Sequence, residues 1–335
     1  MIAVAIINYR THEATRACLA ALLPALPPNA IVYLLDNGSG ADEMQHLQHD
    51  ARTHGGRVKL TSNASNLGFA GGMNQLLTEI LAEPEVDHVL LLNNDTRVTP
   101  GFFAAMHARL DPAHNVDMIA ARLLKPSTDA VDSLGITLYR STLASNRKRV
   151  EEILLGPTGG CALLSRRLLE DVHLNHGEWF DETFFCYAED TDLVVRARWL
   201  GWQAGYADDA RVYHIGSLSS GGAESDFILY HGIRNSLWWL AKNAPTGWLL
   251  RSLPWLIALH TGICLRHLRR GRARVLWRLY RDALHGLPDM LRKRRIIRDT
   301  RREPPAVFRS WVEPHFYERD YLQRAWRELW KGAPK

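Results

Sequence analysis

Apolar runs of strand length alternate with segments of helical period through the first third of the chain. The pattern predicts strands over 2–8, 31–36, 57–62 and 87–93, with helices over about 12–23, 41–54 and 70–82 between them. A period near two that switches to 3.6 and back marks βαβ units, which feed a mainly parallel sheet whose ligands lie beyond the carboxyl ends of its strands. Polar residues stand at each of these ends: Asn8-Tyr9-Arg10, Asp36-Asn37-Gly38-Ser39, Ser62-Asn63 with Asn66, and Asn93-Asn94-Asp95. Four polar tips on one rim predict a nucleotide pocket. From about 115 to 165 the pattern shortens, with weak strands at 116–124, 136–139 and 153–155, a basic loop at Arg147-Lys148-Arg149, and a core strand that follows Gly159-Gly160. A helix ending near Leu200 comes next, then short strands at 203–206 and 211–214 and a Ser/Gly loop over 217–222 with the make-up of a lid. Beyond 226 the chain reads as wholly helical, over 227–243, 248–270 and 273–284, up to Arg292-Lys293-Arg294-Arg295.

A chain of 335 residues with 46% apolar content can bury a full α/β core and carry an appendage. The expected division is a catalytic domain over 1–225 and a helical, basic, membrane-associating region over 226–335. Formal net charge is only +5, yet the stretch from Leu240 to Arg302 holds sixteen Lys or Arg against three Asp, a local +13 that leaves −8 elsewhere. Such asymmetry calls for an anionic partner. Trp238, Trp239, Trp248, Trp255 and Trp277 lie within apolar helices among arginines, which suits a lipid interface better than base stacking, so an anionic membrane surface is expected and nucleic acid is not. The apolar run from Leu253 to Leu265 is about thirteen residues and contains Pro254 and His260, short of the ~20 needed to span a bilayer, so it is expected to lie on the surface. Cys18, Cys161, Cys186 and Cys264 lack C-x-x-C spacing, so no zinc or disulfide framework is indicated and a reducing cytosol is the default. Residues 1–7 are too short for a signal peptide's apolar region and read as a buried strand.

Candidate chemistry concentrates in two acidic stretches. Asp95 follows Val89-Leu90-Leu91-Leu92, where its carboxylate would emerge beside a bound diphosphate; a divalent cation held there would offset the leaving group's charge, and a helix or turn cap is the plain alternative. Tyr187-Ala188-Glu189-Asp190-Thr191-Asp192 precedes an apolar helical run, so a carboxylate in its first turn can take a proton in a pocket, while at least one of the three acids serves the helix dipole. Asp190 is the chosen base and Glu189 the second choice. Asp36 fits either a nucleoside contact or an ordinary turn. The stretch Asn66-Leu67-Gly68-Phe69-Ala70-Gly71-Gly72-Met73-Asn74 opens a helix whose amides favour anions, and its glycines lack the G-x-G-x-x-G spacing of a dinucleotide loop. His214 fits a metal or diphosphate ligand or a structural strand end, and Arg234 fits a phosphate contact or a solvated charge.

Taken in order, Ile6-Ile7-Asn8-Tyr9, Leu35-Asp36-Asn37-Gly38-Ser39, the 66–74 stretch, Leu91-Leu92-Asn93-Asn94-Asp95, Thr158-Gly159-Gly160-Cys161 and Tyr187-Ala188-Glu189-Asp190-Thr191-Asp192-Leu193 resemble family 2 glycosyltransferases, most closely the bacterial rhamnosyltransferase-like subgroup, over about residues 1 to 240. The resemblance implies a GT-A nucleotide-sugar-binding fold, α/β with a Rossmann-like mainly parallel sheet, to which the C-terminal helices are an extension. It implies inverting transfer from a dTDP- or UDP-sugar donor to a glycan or glycolipid acceptor, with Mg2+ or Mn2+. Carried over, Asn8 and Asp36 match nucleoside-contacting positions, Asp95 the metal-binding acid, Asp190 the base, and His214 and Arg234 diphosphate-side positions; the full expected set is Asp190 with Glu189 for catalysis, Asn8, Tyr9, Asp36, Asn66, Gly68, Asn74, Asn94 and Arg234 for the nucleotide sugar, and Asp95 with His214 for the metal. Asn93 stands where many members have Asp. The expected activity is transfer of L-rhamnose from dTDP-rhamnose to a lipid-linked or cell-envelope glycan, at the cytoplasmic face of the bacterial plasma membrane. A UDP-sugar donor (GlcNAc or Gal) and a non-catalytic glycan-binding scaffold are the rival readings.

Overall fold

The computed structural model describes residues 1–216 and 225–319. In chain order its elements are β1 (Ile2–Asn8), α1 (His12–Leu22), β2 (Ile31–Asp36), α2 (Ala41–Arg52), β3 (Val58–Ser62), α3 (Gly68–Leu81), β4 (His88–Leu92), β5 (Thr96–Val98), α4 (Phe102–His107), β6 (Val116–Leu124), β7 (Val131–Ser133), β8 (Ile136–Tyr139), β9 (Ala144–Asn146), β10 (Cys161–Ser165), α5 (Arg166–His176), α6 (Glu189–Trp199), β11 (Gln203–His214), α7 (Asp226–Asn243), α8 (Thr246–Arg269), α9 (Ala273–Thr300) and β12 (Val312–Glu313). The main sheet runs β3-β2-β1-β4-β10-β6-β11-β5, with β7 on β6, and a small sheet runs β12-β8-β9. β1, β2, β3 and β4 pair in parallel, β11 pairs in parallel with β6, and β10 is antiparallel to both its neighbours.

The sheet is covered on both faces, which is why its strands read as continuous apolar runs. Side chains alternate between two cores: Ala3, Ala5, Tyr33, Leu35, Val89 and Leu91 face one, and Val4, Ile6, Val32, Leu34, Leu90 and Leu92 face the other. The first core also receives α6, α7 and α9, through residues such as Trp199, Trp239 and Met290.

Several expectations are corrected. Residues 153–155 form no strand; the Leu155 N–H donates to Ile136 O and the Ile136 N–H to Gly156 O, an isolated bridge. The two short strands at 203–206 and 211–214 are one, β11, whose register against β6 shifts between Ala207 and Arg211. Helix α9 runs on through the basic stretch to Thr300. The chain after it is not helical throughout: residues 305–311 form a 3-10 turn, and β12 returns to pair with β8. Phe308 and Trp311 there pack on Trp199 of α6, with ring centroids 5.7 and 4.7 Å away. The apolar run taken as too short to span belongs to α8, whose 24 residues are long and apolar enough to cross a membrane by length and composition, and which is hardly buried. Of the basic loop, Arg147 is buried and bonded to the carbonyl of Glu152. The loop over 217–222 lies outside the described residues.

Candidate active site

A cleft of about 780 Å3 opens at the carboxyl ends of the parallel strands. Its wall includes both Asp95 and Asp190.

On one side, the turn from β4 into β5 carries Asn93-Asn94-Asp95. Because β5 pairs with β11 so that Thr96 meets His214, the register sets His214 beside Asp95. The His214 Nε2 lies 3.3 Å from Asp95 Oδ1 and its Nδ1 2.7 Å from Asp132 Oδ2. The Gly216 N–H donates to Asp95 Oδ2 at 2.9 Å. Burial disfavours a charged ring, but hydrogen bonds to Asp132 and Asp95 outweigh it and push His214 up to about 9, so the ring is an imidazolium at neutral pH.

On the other side, α6 begins after a run of left-handed residues and aims its first turn at the cleft. Asp190 is half-buried; its Oδ2 accepts from the Gly159 N–H at 2.9 Å and its Oδ1 from the Thr191 N–H at 2.6 Å. Burial raises its pKa, and these bonds to the anion offset part of that rise. Glu189 is buried deeper, and its Oε2 has no hydrogen-bond partner among the described residues. Burial, with the charge of Asp190 second, holds it well above the usual carboxylate range, which favours its protonated form. Asp192 points the opposite way. It is fully buried against Arg196 at 2.8 Å, Lys242 at 2.9 Å and the Asn243 amide at 2.7 Å. With Glu178 and Asp181 it forms a carboxylate group close enough to hold an ion. The Lys242 and Lys293 ammonium groups already fill that position, at 2.7 and 2.6 Å from Asp181, which makes it an internal ion cluster. The two sides of the cleft are joined by β10, where Cys161 pairs with Leu92 and the Asn93 N–H donates to Gly160 O.

Of the expected nucleotide-sugar residues, Tyr9, Asn66, Gly68 and Asn94 line the cleft. Asn66 Oδ1 accepts from Asn37 Nδ2 and from the Gly68 N–H, which shapes the start of α3. Gly68 has φ +73°, and a Cβ there would sit 2.4 Å from the Phe185 carbonyl oxygen. Asn94 turns its amide to Thr11 and Thr15, both at 2.7 Å. Four others are absent from the wall. Asn8 and Asp36 are buried beneath it and bonded to each other at 2.9 Å. Asn74 spends its amide on Phe180 O, and Arg234 is buried with a guanidinium N–H donating to Phe184 O at 3.2 Å. Each of these four makes hydrogen bonds within the protein. Sequence reasoning missed Asp132, which sits on the three-residue strand β7 and carries no motif, and Asn37, which is visible only as part of a turn.

The sequence profile of the family described as "Glycosyltransferase like family 2" matches residues 1–227. No curated protein sequence matches. Among solved structures, GalNAc-T7 with UDP, GalNAc and Mn2+ superposes with TM-score 0.57 at 14% identity, over 72% of this chain and 48% of that one; this chain thus spans about half its length. The S. aureus protein TarS 1-349 in complex with UDP-GlcNAc gives 0.55 at 15% identity over 92% and 91% of the two chains. The mannosyltransferase PcManGT from Pyrobaculum calidifontis, with GDP-Man and Mn2+, gives 0.55 at 15% over 92% and 87%. At such identities the likeness speaks for the fold, which is GT-A, while the profile match over two thirds of the sequence fixes the family: the chain belongs to glycosyltransferase-like family 2.

Proposed function

We propose that the protein is an inverting glycosyltransferase that moves a sugar from a nucleoside-diphosphate donor to an acceptor hydroxyl, with Asp190 taking the hydroxyl proton. The observation that carries this reading is the presence of Asp95 and Asp190 in the wall of one cleft. Inversion needs one base on the face opposite the departing diphosphate and no covalent nucleophile. Asp190 suits that role because two N–H groups hold its anionic form while burial lifts its basicity. Glu189, which lines the cleft and whose protonated form burial favours, can donate to or accept from a sugar hydroxyl.

The donor set of Asp95 and His214 fits Mg2+ or Mn2+. Asp95 Oδ1 and His214 Nε2 lie 3.3 Å apart on the cleft, so a cation that displaced the Nε2 proton would be held by both, while Asp132 fixes the far nitrogen of the ring, as carboxylates do behind metal-bound histidines. When bound, the cation supplies positive charge that offsets the charge of the leaving diphosphate. Asp95, with the Gly216 N–H on its second oxygen, is kept oriented toward that position.

For the donor, the finer reading is dTDP-L-rhamnose, supported by the ordered motifs and by Asn93 in the metal-binding turn. The second reading is a UDP-sugar, favoured by TarS, which was captured with UDP-GlcNAc and aligns over 92% of this chain. The acceptor is a lipid-linked or cell-envelope glycan at an anionic membrane surface, supported by the exposed apolar residues and arginines of α8 and α9. A donor panel with mass detection of the product tests the reading: a rhamnosyl or N-acetylglucosaminyl product chooses between the two, and no transfer from any nucleotide sugar would favour the scaffold.

A further inference from the structure

We infer that Asn235, on α7, is a positioning residue that holds the segment presenting Glu189 and Asp190 to the cleft; the inference rests on the proposed role of Asp190. Among the described residues seven non-glycines have positive φ, and three of them, Phe185, Tyr187 and Ala188, fall within the four positions before Glu189. Phe185, at φ 66° and ψ −64°, is the centre of a γ-turn closed by the Cys186 N–H donating to Phe184 O at 2.8 Å, a conformation that L residues rarely take. Such a run persists only where its surroundings over-determine it.

The surroundings here are two helices. The Ala70 N–H of α3 donates to Phe185 O at 3.1 Å. The other three carbonyls converge on one amide: Asn235 Nδ2 lies 2.9 Å from Phe184 O and 2.8 Å from both Cys186 O and Tyr187 O. Two N–H groups therefore serve three acceptors, one of them shared. The orientation of that amide is fixed, because its Oδ1 accepts from Arg234 Nε at 2.9 Å. Asn235 is fully buried and absent from the cleft wall, so it acts through the segment it grips. Asp190 begins three residues beyond the last gripped carbonyl, and a small displacement there moves its carboxylate against the reacting hydroxyl.

The test uses the full chain and nucleoside-diphosphate release from dTDP-rhamnose or UDP-GlcNAc, whichever the wild type turns over. N235A, N235S, D190N and N235A/D190N are compared, together with titration by dTDP and UDP and thermal unfolding. N235A is expected to lower kcat by about 100-fold, the scale of a 1 Å misplacement, with nucleotide affinity unchanged. N235S, which keeps one donor, should fall between, and it carries the test if N235A does not fold. Within D190N the added N235A change should cost nothing further, since both act through one group. Wild-type kcat in N235A beside an inactive D190N would overturn the inference. So would a loss that adds in full to D190N, or one confined to Tm and nucleotide affinity. Full turnover in D190N would instead remove the Asp190 reading, and that single variant identifies this outcome.

Discussion

Asp190 and Glu189 are neighbours with different tasks because their surroundings differ. Asp190 has the Gly159 and Thr191 N–H groups on its anion, whereas Glu189 Oε2 has no partner among the described residues, so burial raises the second well above the usual range and the first less far. If Asp190 must be ionised to act, activity should fall as pH drops through its raised pKa, and the acid limb of the kcat/KM profile should lie above the ordinary aspartate value of 3.8. An acid limb at or below that value would contradict the assignment. On the other wall, Asp95→Ala should abolish stimulation by Mn2+, and full activity of the wild type in chelator would remove the metal from the reaction. Both acids stood out in the sequence, Asp95 at the end of an apolar strand run and Asp190 at the head of an apolar helical one. Asn8, Asp36, Asn74 and Arg234 were equally visible as polar motif residues, but a motif does not say which way a side chain turns. Their amide, carboxylate and guanidinium groups bond within the protein and do not line the cleft.

At the level of elements, α7 ties the C-terminal helices to the catalytic segment at two points. Asn235 grips the carbonyls before Glu189, and about two turns further along Lys242 and Asn243 meet Asp192. Lys242 is almost wholly buried among Glu178, Asp181 and Asp192. Lys242→Ala would leave buried carboxylates uncompensated and should cost about 3–5 kcal/mol in stability, read by denaturant unfolding; a change near zero would show that Lys293 and Arg196 suffice. Although burial acts to raise Asp181 and Asp192, their cationic neighbours hold both below the ordinary value of 3.8. Groups depressed on folding stabilise the protein above their unfolded pKa, so this contribution is fully present at neutral pH and is lost as pH falls below about 3.8 through the folded values. The alternating strands and helices of the first third were legible to within a few residues because one period dominates each. The joining of two short strands into β11, and the return of β12 to β8, were not, since both depend on pairing between distant segments.

The whole molecule sets a family 2 transferase cleft beside a hairpin of α8 and α9 whose outer residues, Leu253, Trp255, Ile257, Leu265 and Trp277, are exposed. The hairpin is pinned where Tyr280 meets His260 Nδ1 at 2.8 Å, midway along α8. An in-plane helix should float with anionic vesicles and be released by high salt or alkaline carbonate. Resistance to both extractions would mean that the 24-residue α8 crosses the bilayer, and failure to float would remove the lipid surface. The central claim is narrower: one cleft, one general base. Asp190→Asn should lower kcat at saturating donor by about 10²–10⁴-fold, the usual contribution of a positioned base, while dTDP or UDP binds as tightly as to the wild type. Turnover near the wild-type rate in that variant would contradict the account.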